Sequence, residues 1–373
     1  MATTYRYLFA DLLTNQILAE LPLTGVTFSN VLNSSGSFSG HLLLSDLSES
    51  GYDLVNTTIP GRTAIYVDRN GVLVWGGILW TRQYDSTSQT LTFGAREFES
   101  YFERRIINEL LDYQNIDQLT IVRNLMTEAQ AYPNGNIGVI VGTETSGVLV
   151  SRTYYAYEYK KFFDAFKDLS NAGSTFGFDF NIDVQYDTSN NPIKLLRLDY
   201  PHRGKIYSAS DPSALVFDFP SNLIHYQWPE NGAAMANTIY AIGPGSNEGK
   251  LLAFSQNTSQ LSAGYPFLED TVTYNDIYDG TLLANLAAGE VQAKLNPVVT
   301  AQISLPAYVD PVLGSYKTGD QILIRITDDR FPAPSAGGFG LTTVKRITAI
   351  NVQTGESGPE TVTLTLADPP FSI

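Results

Sequence analysis

Along the chain, apolar and polar residues alternate in short runs broken by Gly, Asn and Pro, the period-2 pattern of half-buried β-strands. The clearest run begins at Gly61. GRTAIYVD over 61–68 reads as a strand, Asp68-Arg69-Asn70-Gly71 as a turn, and Val72 to Tyr84 as the returning strand. Asn-Gly between two such runs is a strong hairpin signal, because both residues tolerate the positive φ of a tight turn. Thr87 to Gln89 then lead into a third strand, TLTFGA.

The same succession returns near the C-terminus. Gly319 opens GDQILIRITDD, a longer Pro/Gly loop returns as TTVKRITAINV, and a turn at Gly355 to Gly358 leads into TVTLTLAD. Upstream of each copy lies another parallel: VTFSNVLNSSGSFSGHLLL at 26–44 and LIHYQWPENGAAMANTIYAIG at 223–243 both read as strand, polar turn, strand. Elements recurring in one order point to a duplicated antiparallel unit. Closing each copy into a barrel would hide the edges that such strands leave open.

Between the copies the period becomes helical. Phe98, Tyr101, Phe102 and Ile106 share one face, as do Leu119, Val122, Leu125, Met126 and Ala129. Tyr159, Phe162, Phe163, Phe166 and Leu169 form a third apolar face, with Gly173 placed for a left-handed C-terminal cap. FGFDFNIDVQY and IKLLRLDY flank Asp187 to Pro192 as a hairpin, and Gly280 to Leu295 predicts a helix stopped by Asn296-Pro297. The expected fold is mainly β with an α+β insert: a first antiparallel β-barrel over 1–96, a helical and β-hairpin domain over 97–205, and a second barrel over 206–373 with a helical insertion near 271–296.

Composition narrows the function. At 373 residues the chain exceeds one small core, and 22 Tyr with 19 Phe supply ample apolar area. Charged residues make up 16%, below the roughly 25% of an average soluble domain, which suits packing into an assembly. A net charge of −15 has the wrong sign for stable nucleic-acid binding. With no Cys, disulfides, thiolate zinc sites and cysteine nucleophiles are excluded. Met1 to Leu23 is interrupted by Arg6 and Asp11 and lacks a signal-peptide pattern, and the apolar run Gly71 to Trp80 falls short of the roughly 20 residues of a membrane helix.

No motif assigns a catalytic, cofactor-binding or metal-ligating residue. GPGSNEGK at 243–250 has Pro244 and Leu251 where a phosphate loop needs Gly and Ser or Thr, and Gly36 to Gly40 carries Phe38 where a nucleophile elbow needs Ser. His41, His202 and His225 are too far apart in sequence to present a zinc pair. His202 beside Asp199 and Arg203 is an acid–base candidate, set against an ordinary strand connection. Asp320, Asp328 and Asp329 crowd acid at one hairpin without EF-hand spacing, and read as a solvated turn before they read as a calcium site. Trp75, Trp80 and Trp228 would suit sugar stacking, but their strand positions favour core or subunit contact. Trp75-Gly76-Gly77 and Gly337-Gly338 are candidates for close strand or subunit approach, where a missing Cβ lets backbones meet.

IPGRTAIYVDRNGVLVWGGIL at 59–79, SNLIHYQWPENGAAMANTIYAIGPG at 221–245, YPFLED at 265–270, LGSYKTGDQILIRITDD at 313–329, and KRITAINV with the ETVTLTL ending together resemble the baseplate hub, or tail-associated, proteins of long-tailed bacteriophages. The resemblance covers most of the chain. It implies a non-enzymatic homotrimer without cofactor, in which each chain gives two tube-like barrels to a ring of six. The expected partners are a distal tail protein ring, the tape-measure protein C-terminus and other tail-tip or fibre proteins, with DNA passing only in transit. The implied location is the virion tail tip, assembled in the host cytoplasm. Three chains carry 3 × (−15) = −45, which would repel phosphate in a lumen. The chain ends at Ile373 just after its last strand-like run, so no C-terminal enzymatic or receptor-binding extension is expected. The alternatives are a six-copy distal-tail ring protein with one unit per chain, a wall-degrading protein using His202, and a saccharide binder using the tryptophans.

Overall fold

The Asn70-Gly71 turn forms as its residues require: in the computed structural model both take positive φ, 55° and 85°, and the strands on either side pair antiparallel. The structure describes residues 3–46, 53–170, 177–208, 210–274, 279–355 and 359–369. Gly173 and the end of the Gly355–Gly358 turn lie outside the described residues. The first sheet comprises β1 (Tyr5–Asp11), β2 (Ile17–Glu20), β3 (Thr24–Val31), β4 (Ser37–Leu43), β5 (Thr63–Arg69), β6 (Val72–Asp85) and β7 (Thr90–Glu97), with one helical turn, α1 (Leu54–Thr57), before β5. An α+β segment follows: α2 (Glu99–Phe102), β8 (Leu111–Asp117), α3 (Gln118–Ala131), β9 (Val139–Ile140), β10 (Leu149–Tyr154), α4 (Phe162–Ser170), and the hairpin β11 (Asp179–Tyr186) and β12 (Pro192–Asp199).

The second sheet starts with β13 (Val216–Phe219) and β14 (His225–Gln227). The chain then leaves it for β15 (Glu230–Asn231), β16 (Thr238–Ile242), β17 (Leu252–Gln256), α5 (Thr258–Ser262), β18 (Glu269–Thr273), α6 (Gly280–Lys294) and β19 (Val298–Val299). It returns with β20 (Gln302–Pro306), β21 (Gln321–Ile326), β22 (Leu341–Gln353) and β23 (Thr361–Ala367). Two compact units result, Met1–Tyr226 with Gln302–Ile373, and Gln227–Ala301.

The two sheets follow the same strand path. The first runs β3-β4-β7-β6-β5-β1-β2 and the second β14-β20-β23-β22-β21-β13. Even their irregularity repeats: the β6–β7 register slips between Leu79 and Thr81, and the β22–β23 register slips between Ile347 and Ala349. A shared bulge is a sharper sign of common design than shared alternation, because it adds a residue at one defined rung. The copies differ at the far edge, where β1 pairs antiparallel with β5 but β13 pairs parallel with β21.

One expectation is made more specific by the pairing, and one needs correction. Among the described residues no strand pair closes either sheet into a hydrogen-bonded barrel; the path runs open from β14 to β2. The first sheet curls instead around side chains, with Tyr5 over Phe28 and Tyr7 over Phe38 at centroid distances of 6.4 Å. The stretch 223–243 is not a hairpin either. Ile224 N donates to Ser304 O at 3.0 Å, so the true return strand is β20, while β16 belongs to the second unit. Alternation marks TIYAI as a strand but carries no information about its partner.

Nor is the α+β segment a separate core. Leu8, Ala10, Tyr66 and Ile78 on one face of the first sheet pack in a single cluster with Phe98, Phe102, Val122, Phe166 and Phe180. Helix α3 buries the expected Leu119, Val122, Leu125, Met126 and Ala129, and Asp117 caps its start by accepting from Leu119 N and Thr120 N at 3.0 and 3.2 Å. The Phe98 stretch gives only one turn, and Ile106 is exposed where it bridges to Lys161. Tyr159 precedes α4 in a left-handed turn at φ 48° and is exposed.

The second unit is larger than a helical insertion: α6 lays Leu283, Ala287 and Val291 on Ile239 and Ala241 of a three-stranded sheet, β17-β16-β18. Among the described residues no helix is long and apolar enough to cross a membrane.

Candidate functional site at the seam of the two sheets

The two copies are joined edge to edge. β22 already pairs with β21 along its first half; beyond that, its Ala349–Gln353 pairs antiparallel with Val31–Thr27 of β3. Leu32 N donates to Thr348 O at 2.9 Å and Thr354 N to Val26 O at 3.0 Å, which extends the ladder at both ends. Each strand covers an edge that would otherwise offer unpaired main-chain groups.

Side chains from distant segments fasten this seam. Arg69, the last residue of β5, donates through Nε to Glu360 Oε1 and through Nη2 to Glu360 Oε2, both at 2.8 Å, and the Tyr5 hydroxyl also bonds Glu360. Burial and the bond to Glu360 push the Tyr5 hydroxyl well above its usual pKa. Nearby, Asp179 accepts from Asn33 Nδ2 at 2.8 Å, from Arg203 N at 2.6 Å and from the Arg346 guanidinium. One carboxylate thus ties the β3–β4 turn, the α+β segment and β22. Charge-assisted bonds to a buried carboxylate are among the stronger polar contacts, and their loss strands a charge.

Two further carboxyls are buried behind the ladder. Glu97 accepts from Gly36 N at 2.6 Å and Asn30 Nδ2 at 2.8 Å. Burial holds its carboxyl well above the usual range, and the Glu99 charge adds to this. Glu99 accepts from Ile182 N at 2.6 Å, and burial raises it to about 7 against that hydrogen bond. Burial lowers Lys194 to about 8, with Nζ donating to Ile137 O at 2.6 Å and lying 4.9 Å from the Phe98 ring. A cavity of about 270 Å³ at the seam is lined by residues that include Asn30, Arg69, Glu97, Asn181, Arg203 and Tyr316. Two of its charged groups are held in pairs: Arg203 Nη2 reaches Asp183 at 2.7 Å, and Arg69 is held by Glu360. That arrangement is suited to holding elements together rather than to attacking a substrate.

The residues singled out from sequence lie elsewhere or inside. Trp75 is fully buried, its Nε1 donating to Ser29 O at 3.0 Å, so it presents nothing to a sugar or a subunit. A Cβ on Gly76 would lie 2.7 Å from Val184 Cγ1, and one on Gly77 2.2 Å from Arg96 O, so both glycines admit neighbours from the same chain. Gly337 and Gly338 take φ 86° and 105° with open space around them. Trp80 donates to Ser100 Oγ at 2.9 Å beneath the Arg104 guanidinium, and Trp228 is half-buried.

His202 lines a shallow pocket with Asp199, Lys205 and Asp320; burial and the Arg346 charge lower its pKa and favour the neutral ring. Asp320 accepts from Lys205 N and Lys317 N at 2.8 and 2.9 Å, and Asp328 from Arg330 N and Phe331 N at 2.9 Å, while Asp329 is exposed. Among the described residues no cluster of three His, Cys, Asp or Glu is placed to hold a metal. Sequence reading missed Arg69, Glu360, Asp179 and Arg346, since nothing local marks an ion pair between such distant positions.

No protein-family model matches the chain, and no curated protein does. Solved structures do. The prophage MuSo2 43 kDa tail protein from Shewanella oneidensis is 13% identical at a TM-score of 0.63, covering 98% of this chain and 99% of that one. The tail protein from Neisseria meningitidis MC58 is 12% identical at 0.64, covering 97% and 96%. Prophage tail protein gp18 from Listeria monocytogenes EGD-e is 12% identical at 0.56, covering 96% and 94%. The chain therefore has the fold of prophage tail proteins over nearly its whole length.

Proposed function

We propose that this chain is a structural, non-enzymatic hub of a phage-type tail tip, assembled as three copies whose sheets form a ring of six similar units. The observation that carries this reading is the duplication within one chain, down to a bulge at the same rung. Two units fixed side by side let a threefold object present sixfold repetition to a tail tube. The seam supports it: paired edges and buried ion pairs hold the copies in one geometry. The fold shared with prophage tail proteins is the second support.

In this reading the partners are the tube-side ring, the tape-measure protein and other tip or fibre proteins. The acidic chain, −15 per copy, would line a channel that repels DNA in transit. Native mass measurement of the purified chain, followed by imaging of particles, tests this: three copies with six sheets around the axis are expected. A six-copy ring would replace the reading with that of a distal-tail ring.

A further inference from the structure

The seam encloses space as well as making contacts. Several parts of one compact unit wall the cavity of about 270 Å³. β3 and β22 contribute the paired residues Phe28 and Val352, with Ile350 beside them, while β6 contributes Leu73 and β11 contributes Val184. Residues between Leu313 and Thr318, from the segment joining β20 to β21, form the remaining wall. Phe28, Leu73, Ile350 and Val352 are all buried, so the floor is apolar and largely hidden from water. Small-molecule sites combine such a lining with a few polar groups, in volumes that start near about 300 Å³.

Most charge around these walls is cancelled within the chain. Arg69 is held by Glu360, and Arg203 by Asp183. Burial, with the Glu99 charge added, holds the Glu97 carboxyl well above its usual range, so it brings little negative charge near neutral pH. Lys317 is left over. Its main-chain N–H donates to Asp320 Oδ2 at 2.9 Å, but among the described residues its ammonium makes no hydrogen bond or ion pair. Burial raises the Asp199 carboxyl against the charges of Arg203 and Lys317, yet Asp199 pairs with Arg203, at 3.8 Å, and lines the neighbouring shallow pocket instead of this cavity. Apolar walls with one uncompensated cation select an apolar molecule that ends in a single negative charge.

We infer that the seam cavity binds a small apolar monocarboxylate, its hydrocarbon part against Phe28, Leu73, Ile350 and Val352 and its carboxylate on the Lys317 ammonium. Because both sheets supply walls, an occupant touches both and stabilises the seam by mass action. The site lies within one chain and requires no second copy. A free acid and the C-terminal residue of another polypeptide share this chemistry.

Isothermal titration calorimetry of the purified full chain at low salt is expected to show hexanoate binding with a dissociation constant of about 1 mM. Binding of 1-hexanol should be about fivefold weaker, and acetate should not bind. Lys317 is exposed, so its variants keep the fold. Lys317→Ala should bring hexanoate down to the level of hexanol, and Lys317→Arg should keep the difference. Leu313→Trp, which puts a larger ring on the cavity wall, should abolish binding of both. N-acetyl-L-leucine carries the carboxylate on a mimic of a chain end: tighter binding than hexanoate identifies a polypeptide terminus as the source, and weaker binding a free acid. Absence of hexanoate binding, equal binding of hexanoate and hexanol, or binding that Lys317→Ala leaves unchanged overturns the inference, whatever the number of copies in the assembly.

Discussion

Arg69 and Glu360 meet end-on in two parallel 2.8 Å hydrogen bonds, although one closes a strand of the first sheet and the other opens a strand of the second. Their side chains are only 16% and 9% exposed, so water does little to screen the pair or to replace it. Arg69→Met leaves a buried carboxylate beside Tyr5 and should cost about 3 kcal/mol in urea unfolding. Adding Glu360→Leu should recover much of that loss, because an apolar pair carries no stranded charge. A single-variant loss below about 1 kcal/mol, with no recovery in the double variant, would mean that the clamp contributes little.

Glu99 makes stability depend on pH in an unusual direction. Its folded value of about 7 lies above the ordinary 4.5, so between these values the folded chain binds more protons than the unfolded one, and stability falls as pH rises through that window. The shift corresponds to roughly 3 kcal/mol, and Glu97, raised in the same direction, carries the decline higher. Lys194 acts oppositely, since its lowered value of about 8 adds stability as pH rises from there toward 10.5. Thermal unfolding should show a decline from pH 5 to 8. Glu99→Gln, which retains an acceptor for Ile182 N, should flatten it.

Gly76 sits where the β11–β12 hairpin meets the first sheet. Gly76→Ala puts a methyl against Val184, Phe98 and Tyr66 and should cost about 2 kcal/mol. Gly337→Ala meets no atoms but forces alanine to φ 86°, and should cost about 1 kcal/mol. Urea titration of both variants separates crowding from backbone strain, and equal losses would contradict the packing account.

His202 supplies a direct check on the non-enzymatic reading. The wild-type chain and His202→Ala should both leave host cell-wall suspensions turbid. Clearing by the wild type that the variant loses would assign the pocket of Asp199, His202 and Asp320 a catalytic role.

Local signals suffice where an element is decided by its neighbours in sequence. The Asn70-Gly71 turn, the spacing of Leu119 to Ala129 and the polar loop from Asp187 are each settled by neighbours in sequence. The mainly antiparallel fold and the matching successions β5-β6-β7 and β21-β22-β23 were legible for the same reason. What could not be read was partnership. The strand at Thr238 alternates like β20, yet it pairs inside another unit, and the aromatic face from Tyr159 promised a helix one turn longer than α4. The seam was invisible: Asp179 with Arg346 and Val31 with Ala349 are joined only once both sheets exist. Trp75-Gly76-Gly77 marks a close approach in the sequence, but not that the approaching groups belong to the same chain.

The second unit departs from the sheet after β14 and rejoins it at β20, and those two strands are bonded neighbours. Entry and exit therefore stand about one strand spacing apart, roughly 5 Å. A graft whose two stumps touch asks nothing of its host beyond a short turn, so this position is a natural socket: other modules could be swapped into it, or the stumps tied directly, while the ladder on either side kept its register.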